Sequence, residues 1–121
     1  MRNRIASFRH AAEGLWALLR TQPNARIHAL ATLLVLALGA LFEMERGEWI
    51  ALIGAITLVW VAEALNTAIE FLADAAVPDP HSLIKHAKDV AAAAVLLAAL
   101  GAVAIGLLVF WPKIVLLTLS G

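Results

Sequence analysis

The amino-acid sequence predicts an all-α integral membrane protein, with an N-terminal amphipathic helix at the bilayer surface followed by three transmembrane helices. Three observations predict it. Of 121 residues, 63% are hydrophobic and 15% charged, and the mean hydropathy is +0.89, more apolar surface than a soluble chain this short can bury. The apolar residues gather in three runs of roughly bilayer length. Basic residues crowd one side of those runs. The formal net charge is zero, which gives no reason to expect a nucleic-acid partner. The absence of cysteine excludes disulfides, thiolate metal sites and a thiol nucleophile. Residues 1–121 read as a single membrane domain.

Residues 2–20 form the predicted surface helix. Ile5, Phe8, Ala12, Leu15, Trp16 and Leu19 recur at helical spacing, with Arg2, Arg4, Arg9, Glu13 and Arg20 largely on the other side. A basic helix carrying tryptophan lies in the interface plane, against anionic headgroups. It does not read as a secretory signal, because the apolar run starts only at Ile27. Thr21-Gln22-Pro23-Asn24 breaks it.

The first span is read over 27–43. Its apolar part, Ile27 to Phe42, is about 24 Å of helix at 1.5 Å per residue, marginal for a hydrocarbon layer of about 30 Å. Arg26 snorkels at one end, and Glu43-Met-Glu-Arg-Gly-Glu48 makes the polar turn at the other. His28, just inside, reads as either a hydrogen-bonded interior histidine or part of a site, and by itself favours the former.

The second span, 49–75, starts at an interfacial anchor, Trp49. Its first fourteen residues carry no charge. Its second half then places Glu63, Asn66, Glu70 and Asp74 on a helix. At about 100° per residue the three acids fall within roughly 40° of one another, with Asn66 about 60° to the side. Hydrogen bonding at a helix seam would account for Asn66, but it accounts poorly for three acids. An acidic stripe inside a bilayer persists where it faces protein, water or a cation. Glu63 lies about 21 Å from Trp49 along the axis, and Glu70 and Asp74 approach the far interface. The stripe would let a membrane-dissolved substrate meet a water-soluble one.

Pro78-Asp79-Pro80 ends that helix, with Ser82 or Asp79 available as a cap. The third span, 82–111, opens with His81, Lys85, His86, Lys88 and Asp89 and is apolar from Val90 to Trp111. Ala98, Ala102 and Gly106 make a small-residue packing stripe, and Pro112-Lys113 marks the exit. Arg2, Arg4, Arg9, Arg20, Arg26, Lys85 and Lys88 flank one side and only Arg46 and Lys113 the other. The basic side is expected in the cytoplasm, which puts the N-terminus inside, the C-terminus outside and the acidic stripe opening toward the cytoplasm. No Gly-x-Gly-x-x-Gly or Walker-type loop is present.

Glu63-Ala-Leu-Asn66-Thr-Ala-Ile-Glu70, then Asp74, then His81-x6-Lys88-Asp89-Val-Ala-Ala-Ala-Ala-Val95, resembles the signature of the small prokaryotic diacylglycerol kinases. Ser7-Phe-Arg-His-Ala-Ala-Glu-Gly-Leu15, Asn24-Ala-Arg-Ile-His28 and Glu48-Trp49 are similar to that family's undecaprenol kinase branch. The resemblance covers nearly the whole chain. It implies ATP-dependent transfer of a γ-phosphoryl group to a membrane lipid alcohol, most simply undecaprenol, with diacylglycerol as the alternative. It also implies Mg²⁺ as cofactor, a bacterial cell membrane location and a homotrimer with active sites shared between chains.

Carried over residue by residue, Glu63 would take the proton of the lipid hydroxyl with Asn66 beside it, and Glu70 would bind Mg²⁺ and, through it, the nucleotide. Lys88 would hold phosphate oxygens, oriented by Asp89. Asp79, His81 and His10 would contact the nucleotide. Asn24, Arg26 and Asp74 would line the lipid entrance or the rim. Gln22 stands where the family usually has a second metal-binding glutamate, and an uncharged amide oxygen implies weaker metal affinity unless Glu13 or a second ion compensates. Asn3 likewise stands where some relatives carry an arginine.

Such chemistry suits these residue types. Phosphoryl transfer needs positioning and charge neutralisation more than covalent help, and Mg²⁺ takes oxygen ligands. A carboxylate out of water accepts a proton more readily than an exposed one. Two other classes stay open on the residues alone. A small oligomeric proton or ion transporter also favours intramembrane acids, and would show flux in vesicles without ATP. A non-catalytic membrane protein would lose nothing on Glu63→Gln.

Overall fold

The computed structural model describes residues 3–121, and these form four helices: α1 Arg4–Thr21, α2 Pro23–Leu41, α3 Arg46–Ala76 and α4 Ser82–Ser120. Arg2, counted above among the basic residues of the surface helix, lies outside the described residues. The last three helices are long and apolar enough to cross a membrane, so the chain is an all-α, multi-pass membrane protein.

Local chemistry sets each boundary. Asn3 caps α1 by accepting the Ile5 N–H at 3.3 Å. Gln22 is extended, as a residue before proline tends to be, and Pro23 opens α2, where its missing N–H would have had no partner. α2 therefore starts four residues before the apolar run. Its 19 residues give about 28 Å, but the added first turn carries Asn24 and Arg26, so the apolar part stays short of the hydrocarbon layer. α2 stops at Leu41. Glu43 takes a left-handed φ of 52°, and the Met44 N–H returns to the Gly39 carbonyl at 3.4 Å, closing the helix end as a Schellman turn. A capping box at Glu45 and Glu48 starts α3.

Two expectations at α4 are corrected. Its cap is His81, whose Nδ1 accepts the Leu83 N–H at 3.1 Å, rather than Ser82 or Asp79. It also does not exit at Pro112 but runs on to Ser120 with the proline inside it. Pro112 removes one backbone donor, yet Ile114–Leu117 offers no polar alternative to helix, and prolines are tolerated in membrane helices. Lys113 pairs with Glu48 at 3.0 Å, tying α4 to the start of α3.

The bundle is held along α3. Ala91 and Ala98 of α4 and Leu52, Ala55, Val59 and Ala73 of α3 are buried, and the alanines among them let backbones approach. Gly106 does not share this role within the chain, since a Cβ there would meet nothing within 4 Å. α2 carries the fully buried Ala25 in its first turn and is joined to α3 by a hydrogen bond from Trp60 Nε1 to Thr32 Oγ1 at 2.9 Å. It also seats Gly39 against the Trp49 ring. A Cβ at Gly39 would fall 2.7 Å from the nearest ring carbon, so this position requires glycine. α1 folds back on α3 through the buried Leu18. Its apolar side (Ile5, Phe8, Leu15, Trp16) stays exposed, as an interfacial helix requires.

Candidate active site

The acidic stripe of α3 turns inward at its deep end and outward at its shallow end. Glu63 is 1% exposed, the largest fully buried side chain among the described residues. One oxygen, Oε2, has no hydrogen-bond partner, and neither do the buried Asn66 Oδ1 and Thr67 Oγ1. Buried polar atoms are normally satisfied. Three orphans within five residues of one helix mark a place prepared for something other than packing.

The three side chains address different neighbours. Glu63 faces α2, where His28 Nε2 stands 3.6 Å from Oε2. Asn66 lies on the wall of an apolar groove of about 920 Å³ between α3 and α4. Thr67 faces α1 across a shallow pocket with Leu18 on its other wall.

Glu70 follows two turns toward the polar end. It is half-buried and, among the described residues, in no ion pair. Asp74 reaches the surface and accepts a hydrogen bond from Lys88 Nζ. That pair stands at the edge of a cleft of about 600 Å³ formed by the end of α3, the 77–81 turn and the first turns of α4, with Asp79, His81, Lys85 and Asp89 also in its lining. Asp74, Asp79, His81, Lys88 and Asp89, dispersed in the sequence reading, thus share one pocket. Pro78-Asp79-Pro80 reverses the chain tightly enough to bring them there.

Asp89 does not orient Lys88. Neighbours on a helix point about 100° apart, and Asp89 instead takes Lys85 Nζ at 2.7 Å, one turn back. Asp74 is the group that holds Lys88. His81 Nδ1 is used as the cap of α4, which leaves Nε2 free toward the cleft. Arg26 does not reach out toward a substrate. Its guanidinium donates to the Leu19 and Arg20 carbonyls, so its charge sits on the negative end of α1. Asn24 is exposed in the first turn of α2, and His10, exposed on α1, contacts Glu13 at 3.4 Å. Neither lies in the cleft.

Gln22 sits at the α1–α2 corner, half-buried, with Nε2 donating to Thr21 Oγ1 at 3.3 Å. Among the described residues no cluster of three histidine or acidic side chains could hold a metal ion. Glu70 and Gln22, the residues to which the family resemblance assigns Mg²⁺, each offer an oxygen donor. Both are hard oxygen ligands, and Mg²⁺ characteristically takes one or two protein oxygens and completes its shell with phosphate and water. Donor chemistry of that kind is compatible with the ion.

Two residues escaped the sequence reading. His28 looked like a bland interior histidine and stands against Glu63. Thr67 follows Glu63 by four residues, on the same face, and that spacing was its available signal.

Bilayer-length helices that bury a glutamate and open on a lysine- and aspartate-lined cleft define an integral membrane protein with a polar site at one interface. The chain belongs to the prokaryotic diacylglycerol kinase family, whose model matches residues 9–110. It is 43% identical over 108 residues to the undecaprenol kinase of Bacillus subtilis, covering 89% of this chain and 88% of that one. It is 41% identical over 105 residues to a diacylglycerol kinase of Synechocystis, covering 86% of this chain and 60% of the relative. It is 31% identical over 99 residues to the diacylglycerol kinase of Escherichia coli K12, covering 82% and 81%. These are lipid kinases, and this chain is an enzyme of that class.

Proposed function

We propose that this lipid kinase phosphorylates undecaprenol, using MgATP at the cytoplasmic face of the membrane. The observation that carries the reading is the buried carboxylate of Glu63, inside a bilayer-length helix that ends at the Asp74–Lys88 cleft. Undecaprenol is favoured over diacylglycerol by the Asn24-Ala-Arg-Ile-His28 and Glu48-Trp49 motifs and by the 43% identity to the Bacillus relative, against 31% to the Escherichia one. The excess of basic residues at the cleft end supports the cytoplasmic orientation.

In this reading the lipid hydroxyl approaches Glu63, with Asn66 beside it. The hydroxyl proton passes to the Glu63 carboxylate as the oxygen bonds to the γ-phosphorus, and the bond from that phosphorus to the bridging oxygen breaks to release ADP. Lys88, freed from Asp74 by the incoming phosphates, neutralises their oxygens. Asp79 and the free nitrogen of His81 hold the nucleoside end. Glu70, with Gln22, holds Mg²⁺, which supplies neutralisation of the triphosphate charge. A homotrimer with sites completed by neighbouring chains belongs to the same reading, supported by the apolar groove between α3 and α4 that has Asn66 on its wall.

The test incubates purified protein in mixed micelles with labelled ATP and either undecaprenol or diacylglycerol, beside a Glu63→Gln control. Label on undecaprenol at higher kcat/KM than on diacylglycerol is expected, and the control should be silent. Preference for diacylglycerol reverses the substrate assignment. Label on neither lipid removes the reading.

A further inference from the structure

We propose that His28 is a positioning residue for Glu63, an imidazole held beside the proton-accepting carboxylate to keep it ionised and turned toward the lipid hydroxyl. The inference rests on the lipid-kinase reading above and adds to it a residue that the reading does not use.

The Glu63 carboxylate is 1% exposed, and Oε2 has no hydrogen-bond partner. An ionised carboxylate in such a place is unstable unless a cation or donor stands near it. His28 Nε2, 3.6 Å from Oε2, is the basic group within ion-pair distance among the described residues, and it is 18% exposed. The separation is just beyond a hydrogen bond. A small side-chain rotation closes it, and catalytic contacts commonly tighten only when substrate is bound.

The other neighbours offer no substitute. α1 presents Leu15 and Leu18 to this part of α3. α4 presents alanines, and its nearest cation, Lys88, is held by Asp74. On α2, Arg26 is committed to the carbonyls of Leu19 and Arg20. On α3 itself the next charge is Glu70, about 10.5 Å further along, of the same sign. Water has poor access, because His28 also forms part of the wall of an apolar cavity of about 190 Å³ among α2, α3 and α4.

His28 is held in place from its backbone. Its carbonyl accepts from Thr32 Oγ1 at 2.7 Å, and the same Thr32 oxygen accepts from Trp60 Nε1 at 2.9 Å. Trp60 lies three residues before Glu63, so α2 and α3 are pinned together beside the pair. With Nε2–H aimed at Oε2, the other carboxylate oxygen is left for the lipid hydroxyl.

The experiment compares wild type, His28→Ala and His28→Gln in lipid-alcohol micelles with saturating MgATP, measuring initial rates against pH. Without the imidazole the buried carboxylate ionises less readily. The acid limb of the His28→Ala profile is therefore expected to move to higher pH by about one unit or more. kcat should fall about tenfold or more, with KM for MgATP changed by less than about twofold. His28→Gln keeps an N–H donor and should recover most of both losses.

Infrared titration of the protonated carboxyl band that disappears in Glu63→Gln gives a readout independent of turnover, and that band should persist to higher pH in His28→Ala. An acid limb and a carboxyl band unmoved in His28→Ala would overturn the assignment, as would a His28→Gln variant no better than alanine. If wild type phosphorylates neither lipid, the parent reading falls, while the infrared titration still judges the pair.

Discussion

Replacing Glu63 by glutamine should abolish activity and leave the protein more stable. The carboxylate is 1% exposed with one oxygen unpartnered, and its nearest basic group is 3.6 Å away, too far for a hydrogen bond. A buried, unsatisfied polar atom costs about 1–3 kcal/mol, more when charged. Glutamine keeps the shape and removes the charge but still leaves a polar atom to satisfy. A gain of about 1 kcal/mol follows, or about fivefold in the unfolding equilibrium constant. Loss of the proton acceptor should lower kcat by about 10²–10⁴-fold. Both quantities can be read on one preparation, by denaturant unfolding in mixed micelles and by transfer of labelled phosphate. Opposite signs are what a site that trades stability for chemistry produces. If the substitution lowers stability by 1 kcal/mol or more along with activity, Glu63 is a structural tie and the reasoning is wrong.

Gly39→Ala drives a methyl group to 2.7 Å from Trp49 and should destabilise the protein by about 1–3 kcal/mol; pairing it with Trp49→Leu should restore most of that, giving a favourable coupling in a double-mutant cycle. Glu43→Gly relieves a left-handed backbone at φ 52° and should stabilise by about 0.5–1 kcal/mol with unchanged kcat, because the turn is at the opposite end of α3 from the cleft. Gln22→Glu places a charge where the amide oxygen now stands and should lower the Mg²⁺ concentration for half-maximal rate several-fold; a magnesium titration unchanged from wild type would remove Gln22 from the metal site.

Most of the architecture was legible because it depends on composition and period. Apolar runs of bilayer length become helices in lipid, where every backbone group must be satisfied within the segment. Proline placement was a less reliable guide. Pro23 begins a helix as expected of its missing donor, whereas Pro112 fails to end one, since the apolar residues after it gain nothing by leaving the helix. The stripe of Glu63, Glu70 and Asp74 was legible for the same periodic reason, because residues seven and eleven apart return to one face wherever the helix lies.

Pairings between helices were not legible. Whether Lys88 meets Asp89 or Asp74, whether Arg26 points at a ligand or at the end of α1, and whether His28 faces lipid or Glu63 all depend on how each helix is rotated about its axis. In this chain the faces are built from interchangeable Ala, Leu and Val, and lipid is as apolar as they are, so hydrophobicity does not select a rotation. The sequence by itself determined a membrane-embedded helical protein with a carboxylate stripe running from the hydrocarbon to the interface. Only the tertiary structure decided which base stands beside the deepest carboxylate and which acid holds Lys88. Those choices were made by close-packed contacts such as Gly39 on Trp49 and Thr32 on Trp60, which depend on shape rather than on pattern.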